Sequence, residues 1–238
     1  MNSLTEKNNK VFISGEIITD ATFSHEVYGE GFYEMSVLVK RLSGQGDILP
    51  VTISERLISD KALKVGSKIN ALGQFRSYNK LVDGKSKLML TVFVRELLES
   101  APLKNPNNIV LCGYICKPPV YRTTPFNREI ADVLIAVNRS YNKSDYIPCI
   151  AWGRNARFAK NLAVGEKIAI SGRIQSREYQ KRFSDEDIRV LTAYEVSISK
   201  LSAYENAENF DVEEEFNLLS STGGYTTETS ALNDYATE

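Results

Sequence analysis

Histidine occurs once in this chain of 238 residues, at position 25, and tryptophan once, at 152. Cysteine occurs three times, and no apolar run approaches the roughly 20 residues a membrane helix needs. These scarcities exclude several kinds of protein. A Ser–His or Cys–His nucleophilic pair would have to rest on His25, which falls in an expected loop. No glycine-rich stretch has the spacing that cradles a phosphate. Clusters of acids gather near the C-terminus, outside any expected scaffold, so they hold no catalytic geometry. The chain reads as a non-enzyme with no cofactor. An odd cysteine count without a signal peptide points to a reducing, cytoplasmic setting and away from disulfides. Zinc needs about four ligands; Cys112, Cys116 and Cys149 have no histidine nearby in sequence and read as small core residues. No association with a membrane is expected.

Net charge is only −1, but it is unevenly spread. Residues 201–238 hold nine acids and no lysine or arginine, which leaves +8 on residues 1–200. A basic body with an acidic tail is one pattern of nucleic-acid-binding proteins.

The body nearly repeats itself with a shift of 98 or 99 residues. "NKVFISGEI" (9–17) matches "NNIVLCGYI" (107–115), and "SVLVKR" (36–41) matches "LIAVNR" (134–139). "LKVGSKINALGQFRS" (63–77) matches "LAVGEKIAISGRIQS" (162–176). A period this long is not that of a solenoid. It defines two copies of one domain, 8–99 and 107–202, joined by the proline-bearing linker "SAPLKNPNN" (100–108) and followed by a tail, 203–238. Each copy gives the same order: a strand with a central glycine, a loop, two strands, a short helix around 55–63 or 154–162, and two more strands. The helix is expected to close at Val-Gly (65–66, 164–165), where glycine suits a C-terminus. The class is therefore all-β with one short helix per domain: two tandem five-stranded OB-fold barrels, small partly open barrels. Gly73 and Gly172 suit the bends of such a barrel. Pro50 and Pro148 sit awkwardly in the third strands, since proline cannot donate to a ladder. Low hydrophobicity and Thr, Ser and Gly enrichment mark the tail as mostly disordered.

"SDYIPCIAW" (144–152) is apolar on both faces. With period two, Ile147, Cys149 and Ala151 point one way, and Tyr146, Pro148, Ile150 and Trp152 the other. The fourth strand alternates too: Ile168, Ile170, Gly172 and Ile174 inward, Lys167, Arg173, Arg177 and Tyr179 outward, with Lys181 and Arg182 in the loop beyond. Tyr141 lies in the turn after the second strand.

Residues 107–201 resemble the bacterial-type single-stranded DNA-binding protein family. The likeness rests on "NNIVLCGYI", "AVNR" (136–139), the aromatic-Gly pair Trp152-Gly153 before the helix, and "GRIQSREY" (172–179). The first copy keeps the framework and loses much of the surface. The resemblance implies sequence-independent binding of single-stranded DNA in replication, recombination or repair. Bases would stack on Tyr141, Tyr146, Trp152 and Tyr179. Phosphates would meet Arg139, Arg154 and Arg157, with Arg173, Arg177, Lys181 and Arg182 completing a basic face. In the first copy Ser43, Ile48 and Ser54 stand in place of Tyr141, Tyr146 and Trp152, whereas Arg76 and Tyr78 survive. The second copy is thus expected to carry most of the affinity. The resemblance further implies a homodimer with four barrels. Family tails dock replication and repair proteins through a Pro-Phe tip; this chain ends "NDYATE", so "NFDVEEEFNLL" (209–219) stands as a substitute docking segment or as a helix packed on the body. Two other readings stay open: a primosome-type adaptor that mainly holds proteins, and an RNA-binding OB-fold.

Overall fold

The computed structural model describes residues 8–41, 43–59, 63–82, 84–101, 104–182, 188–203 and 211–221. Barrel one contains β1 (Asn9–Ile17), β2 (Thr22–Val27), β3 (Glu30–Lys40), β4 (Gly46–Ser54), α1 (Glu55–Ser59), β5 (Lys68–Val82) and β6 (Lys85–Leu98). Barrel two repeats the series as β7 (Asn107–Ile115), β8 (Val120–Thr123), β9 (Glu129–Arg139), β10 (Lys143–Trp152), α2 (Gly153–Ala159), β11 (Lys167–Arg182) and β12 (Ile188–Ala203). The five expected strands are present in each barrel. β2 and β8 are additions: the loop after the first strand doubles back as a short edge strand on β3 or β9. Each barrel closes because β1 pairs with both β5 and β3, and β7 with both β11 and β9.

Alternation sets the cores. Leu49, Val51 and Ile53 of β4 are buried, as are Ile147, Cys149 and Ala151 of β10. Gly73 and Gly172 mark where the long strands bend. A Cβ at Gly73 would stand 2.2 Å from the Phe93 carbonyl oxygen, and one at Gly172 would stand 2.1 Å from that of Ser197. The strand register shifts at both points, so the bulge lets the partner strand pass where no side chain fits.

α2 ends at Ala159, before the expected 162, and neither helix runs on to its Val-Gly. Gly66 and Gly165, both at positive φ, do not cap them. They shape the turns whose N–H groups donate to the carbonyls of Ile17 and Ile115 at 2.8 and 2.9 Å. Residues 60–62, within the expected first helix, and Pro102 and Leu103 of the expected linker lie outside the described residues. Pro50 and Pro148 lie mid-strand, yet the parallel ladders of β4 to β6 and of β10 to β12 begin one residue later, at Val51 and Cys149. Each proline is therefore accommodated where its strand has only one ladder.

β1 and β7 join the barrels as antiparallel neighbours, producing one twelve-stranded sheet. Val11 pairs with Ile109, its own counterpart at a shift of 98. The seam thus carries an approximate two-fold axis, and its contacts come in pairs, as in an isologous interface. Asn9 grips the Phe75 backbone at 2.8 and 2.9 Å, and Asn107 grips that of Ile174 at 2.6 and 2.9 Å. Asp145 accepts the Ser77 N–H at 2.7 Å, and Asp47 accepts the Ser176 N–H at 3.0 Å.

Within the tail, read as mostly disordered, the structure takes the packed-helix alternative for the segment 209–219. α3 (Val212–Ser221) is a helix packed across β1 and β7. Its Val212, Phe216 and Leu219 share one helical face. They bury against Phe12, Val110 and Cys112, with Leu72 and Leu98 alongside. Asp211 caps the start, accepting the Glu213 N–H at 2.8 Å. Glu215 pairs with Lys200 at 2.7 Å, Glu213 pairs with Lys10, and the Lys10 ammonium lies 4.5 Å from the Phe216 ring centre. Of the acids that suggested a solvated tail, Glu213 and Glu214 are exposed and Glu215 is turned to Lys200, while the apolar stripe packs on an apolar sheet face. Residues 204–210 and 222–238, with the rest of the tail expectation, lie outside the described residues.

Candidate nucleic-acid interface

The outer face of barrel two is built by alternation on β10. Tyr146 and Trp152 are 46% and 39% exposed, while Ile147, Cys149 and Ala151 between them are at most 3% exposed. Ile150, on the same outer face, is buried at 6%. Two rings therefore stand clear of a sheet that packs tightly beneath them. Trp152 sits at the N-cap of α2 without capping it, and Gly153 turns the chain at φ 51°.

Tyr141 is 94% exposed in the turn between β9 and β10. Its φ is 62°, and that of Asn142 is 54°. A bulky residue seldom takes the left-handed region, and here the hairpin twist requires it. The result is a ring held out from the sheet with no core to enter.

β11 brings Arg177 and Tyr179 onto the outer face, with the guanidinium 5.8 Å from the ring centre. They are separated from Tyr146 by β12, because the sheet order is β11, β12, β10. Glu195 of β12 lies in that gap. It accepts from Gln175 at 2.7 Å and approaches Arg177 at 3.8 Å. Lys181 and Arg182 lie within β11 and not in a loop, because β11 and β12 continue as a two-stranded ribbon beyond the barrel.

The basic candidates divide by their surroundings. Arg154 is exposed on α2. Arg157 is held by Glu129 at 2.7 Å and so fastens the helix to β9. Arg173 does not stand on the open face: it is half-buried in the seam near Arg41 and Asp47, its Nε without a hydrogen-bond partner. Burial and the neighbouring Arg41 lower its pKa. Arg139 also points to the seam, 3.4 Å from Asp145. Burial raises the Asp145 pKa against the opposing pull of the Ser77 N–H and Arg139.

Barrel one has its own outer face. Ile48 is exposed where barrel two has Tyr146. Ser54, in place of Trp152, is buried and donates to Glu30. Tyr78 donates to Glu34 at 3.1 Å; burial first, and Glu34 second, push its pKa up to about 12. Sequence reasoning missed Phe93. Its ring packs beside Phe32 at 5.5 Å and lies beneath two guanidinia, Arg76 at 4.1 Å and Arg95 at 5.5 Å. The alternation Thr91, Phe93, Arg95 in "LTVFVREL" carried the signal, since Val92 and Val94 are the buried partners. Burial first, then Arg139 and Arg95, bring the Arg76 pKa down to about 10, so it remains a cation at neutral pH.

No group of three or more metal-ligating side chains occurs among the described residues. No helix among them is long and apolar enough to cross a membrane.

Two closed barrels built in the same strand order define a tandem OB-fold protein, and comparison with known proteins agrees. The Single-strand binding protein family matches residues 106–203. Single-stranded DNA-binding protein 2 of Listeria innocua is 31% identical over 143 residues, covering 54% of this chain and 87% of the relative. Single-stranded DNA-binding protein 1 of Staphylococcus aureus is 36% identical over 83 residues, 32% of this chain and 50% of the relative. The chain thus spans about half the length of several curated relatives it matches. The wild-type single-stranded DNA-binding protein of Thermus aquaticus superposes with a TM-score of 0.64 at 19% identity, covering 84% of this chain and 94% of that one, which is a likeness of fold. The chain belongs to the single-strand binding protein family.

Proposed function

We propose that this protein binds single-stranded DNA without sequence preference and protects it during replication, recombination or repair. The observation that carries the reading is the exposure of Tyr146 and Trp152 on a strand whose alternate residues are buried. A ring exposed on a sheet face can accept a base by stacking, a contact of about 1–3 kcal/mol that every base can make. Tyr141 and Tyr179 extend that platform. Arg177, Lys181, Arg182 and Arg154 supply the positive field along it. Binding, and no catalysis, is the activity this arrangement serves. Residues 8–99 and 107–202 act as the two domains, both in the bacterial cytoplasm. A homodimer would bring four barrels together, and light scattering of the full chain at micromolar concentration tests that assembly.

The single Trp supplies the experiment. Trp152 fluorescence is followed while oligo-dT is added at low and moderate salt. Saturating quenching, with affinity falling as salt rises, is the expected result. Absence of binding in a parallel mobility assay rejects the reading. Oligo-U in the same assay separates DNA from RNA binding, since the 2′-OH distinguishes them.

A further inference from the structure

The sheet face beneath α3 crosses the seam. Phe12 of β1 supplies one half of its floor, and Val110 and Cys112 of β7 supply the other, with Leu72 and Leu98 alongside. Its rim is basic. Lys10 and Lys200 hold Glu213 and Glu215 of α3, and the Lys10 ammonium also lies 4.5 Å from the Phe216 ring centre. Burial raises the Cys112 pKa, and Lys167 is near enough to oppose that rise. An apolar floor inside a rim of lysines fits a helix whose apolar stripe runs between acids.

α3 meets those requirements only in part. It has ten residues, too few to hold a helix in water by themselves. Three side chains anchor it, and ion pairs at the surface add little. Leu72 and Leu98 stay only partly covered beside it. Alternation on β7 places Asn108 on the same face as Val110 and Cys112. Asn108 is 1% exposed, yet its Oδ1 has no hydrogen-bond partner among the described residues. A buried acceptor without a donor is a cost that a better-fitted occupant removes.

We propose that this face is a docking site for an acidic amphipathic helix of another protein, and that α3 is the tethered occupant which such a helix displaces. The incoming helix carries apolar side chains at positions i, i+4 and i+7, acids that meet Lys10 and Lys200, and a donor for Asn108. The site shares no residue with the aromatic platform, so it goes beyond the DNA-binding reading and does not rest on it.

The test uses the full chain and, as probe, a fluorescein-labelled peptide of the α3 sequence, "DVEEEFNLLSS" (211–221). Phe216→Ala and Leu219→Ala each remove one anchor of the resident helix and leave the face unchanged. Fluorescence anisotropy should show saturable binding to both variants. Binding to wild type should be weaker by more than about tenfold, because α3 on its short tether acts at an effective concentration of the order of 1 mM. Unlabelled peptide should also slow the reaction of Cys112 with a thiol reagent in both variants. A peptide with Glu213→Lys and Glu215→Lys should do neither. No binding to either variant, equal affinity for wild type and variants, equal binding by the charge-reversed peptide, or binding that leaves Cys112 as reactive as before overturns the proposal. A larger mass by light scattering for Phe216→Ala than for wild type would assign the uncovered face to a second copy of this chain, and overturns it too.

Discussion

The Ser77 hydroxyl of barrel one accepts the backbone N–H of Tyr146 of barrel two at 2.7 Å. The Ser77 N–H in turn donates to Asp145 at 2.7 Å. The main chain under the first exposed ring of barrel two is therefore fixed by the neighbouring barrel. Ser176 does the same for Ile48 at 3.1 Å. Ser77→Ala is expected to cost about 1–2 kcal/mol in chemical denaturation, because it leaves the Tyr146 N–H without its acceptor. It should also weaken oligo-dT binding more than Ser176→Ala does, since only Ser77 supports an aromatic. Equal binding by the two variants would separate the seam from the platform.

Tyr146→Ala with Trp152→Ala should lower oligo-dT affinity by more than about tenfold, from the loss of two stacking contacts. The melting temperature should change little, because both rings stand outside the core. Ile48→Ala is the matched change in barrel one and should leave affinity near wild type. Ser54→Ala is not a neutral comparison: its hydroxyl is buried and bonded to Glu30. A loss with Ile48→Ala as large as that of the aromatic pair would contradict the assignment of the main platform to barrel two.

Asp145 gives a pH dependence whose sign follows from its raised pKa. The fold favours its protonated form, so the stability tied to this group is whole below the ordinary carboxylate pKa of 3.8 and is lost as pH rises through the folded value. Asp145→Asn keeps an acceptor for the Ser77 N–H and removes the buried charge. It should match or exceed wild-type stability at pH 7, with the gap closing toward pH 3. Asp145→Ala, which leaves that N–H unpaired, should be destabilised by about 1–3 kcal/mol. Urea titrations at both pH values make the comparison.

The thiols report on α3. Burial raises the Cys149 pKa well above the ordinary thiol value and also raises those of Cys112 and Cys116. Cys116 is the least buried and should react first with a thiol reagent at pH 8. Cys112 lies beneath Val212, Phe216 and Leu219. Phe216→Ala should speed its labelling several-fold, and added salt should do the same by weakening the pairs of Lys10 and Lys200. Labelling of Cys112 at the wild-type rate in Phe216→Ala would mean that helix release does not govern its access.

The repeat made the barrels legible, because each strand carries a period-two pattern and each copy checks the other. The exposed faces of Tyr146 and Trp152 followed from the same parity. What the sequence concealed was pairing between copies. Nothing local in "FRSYN" tells that Ser77 will meet Tyr146, or that Arg173 will enter the seam while Arg177 stays outside. Parity assigns both arginines to one face, and only the approach of the second barrel divides them. Phe93 was passed over because it lies in a run of valines, where an aromatic reads as core. The tail left two readings open, a docking segment or a packed helix, because the surface that its apolar stripe covers forms only when β1 meets β7.

That surface gives α3 a particular address. It rests where the two barrels touch, against β1 and β7 alike. Its apolar stripe covers Phe12 of one barrel together with Val110 and Cys112 of the other. One copy of it can serve a body built as two, and no second copy is needed to keep the halves equivalent.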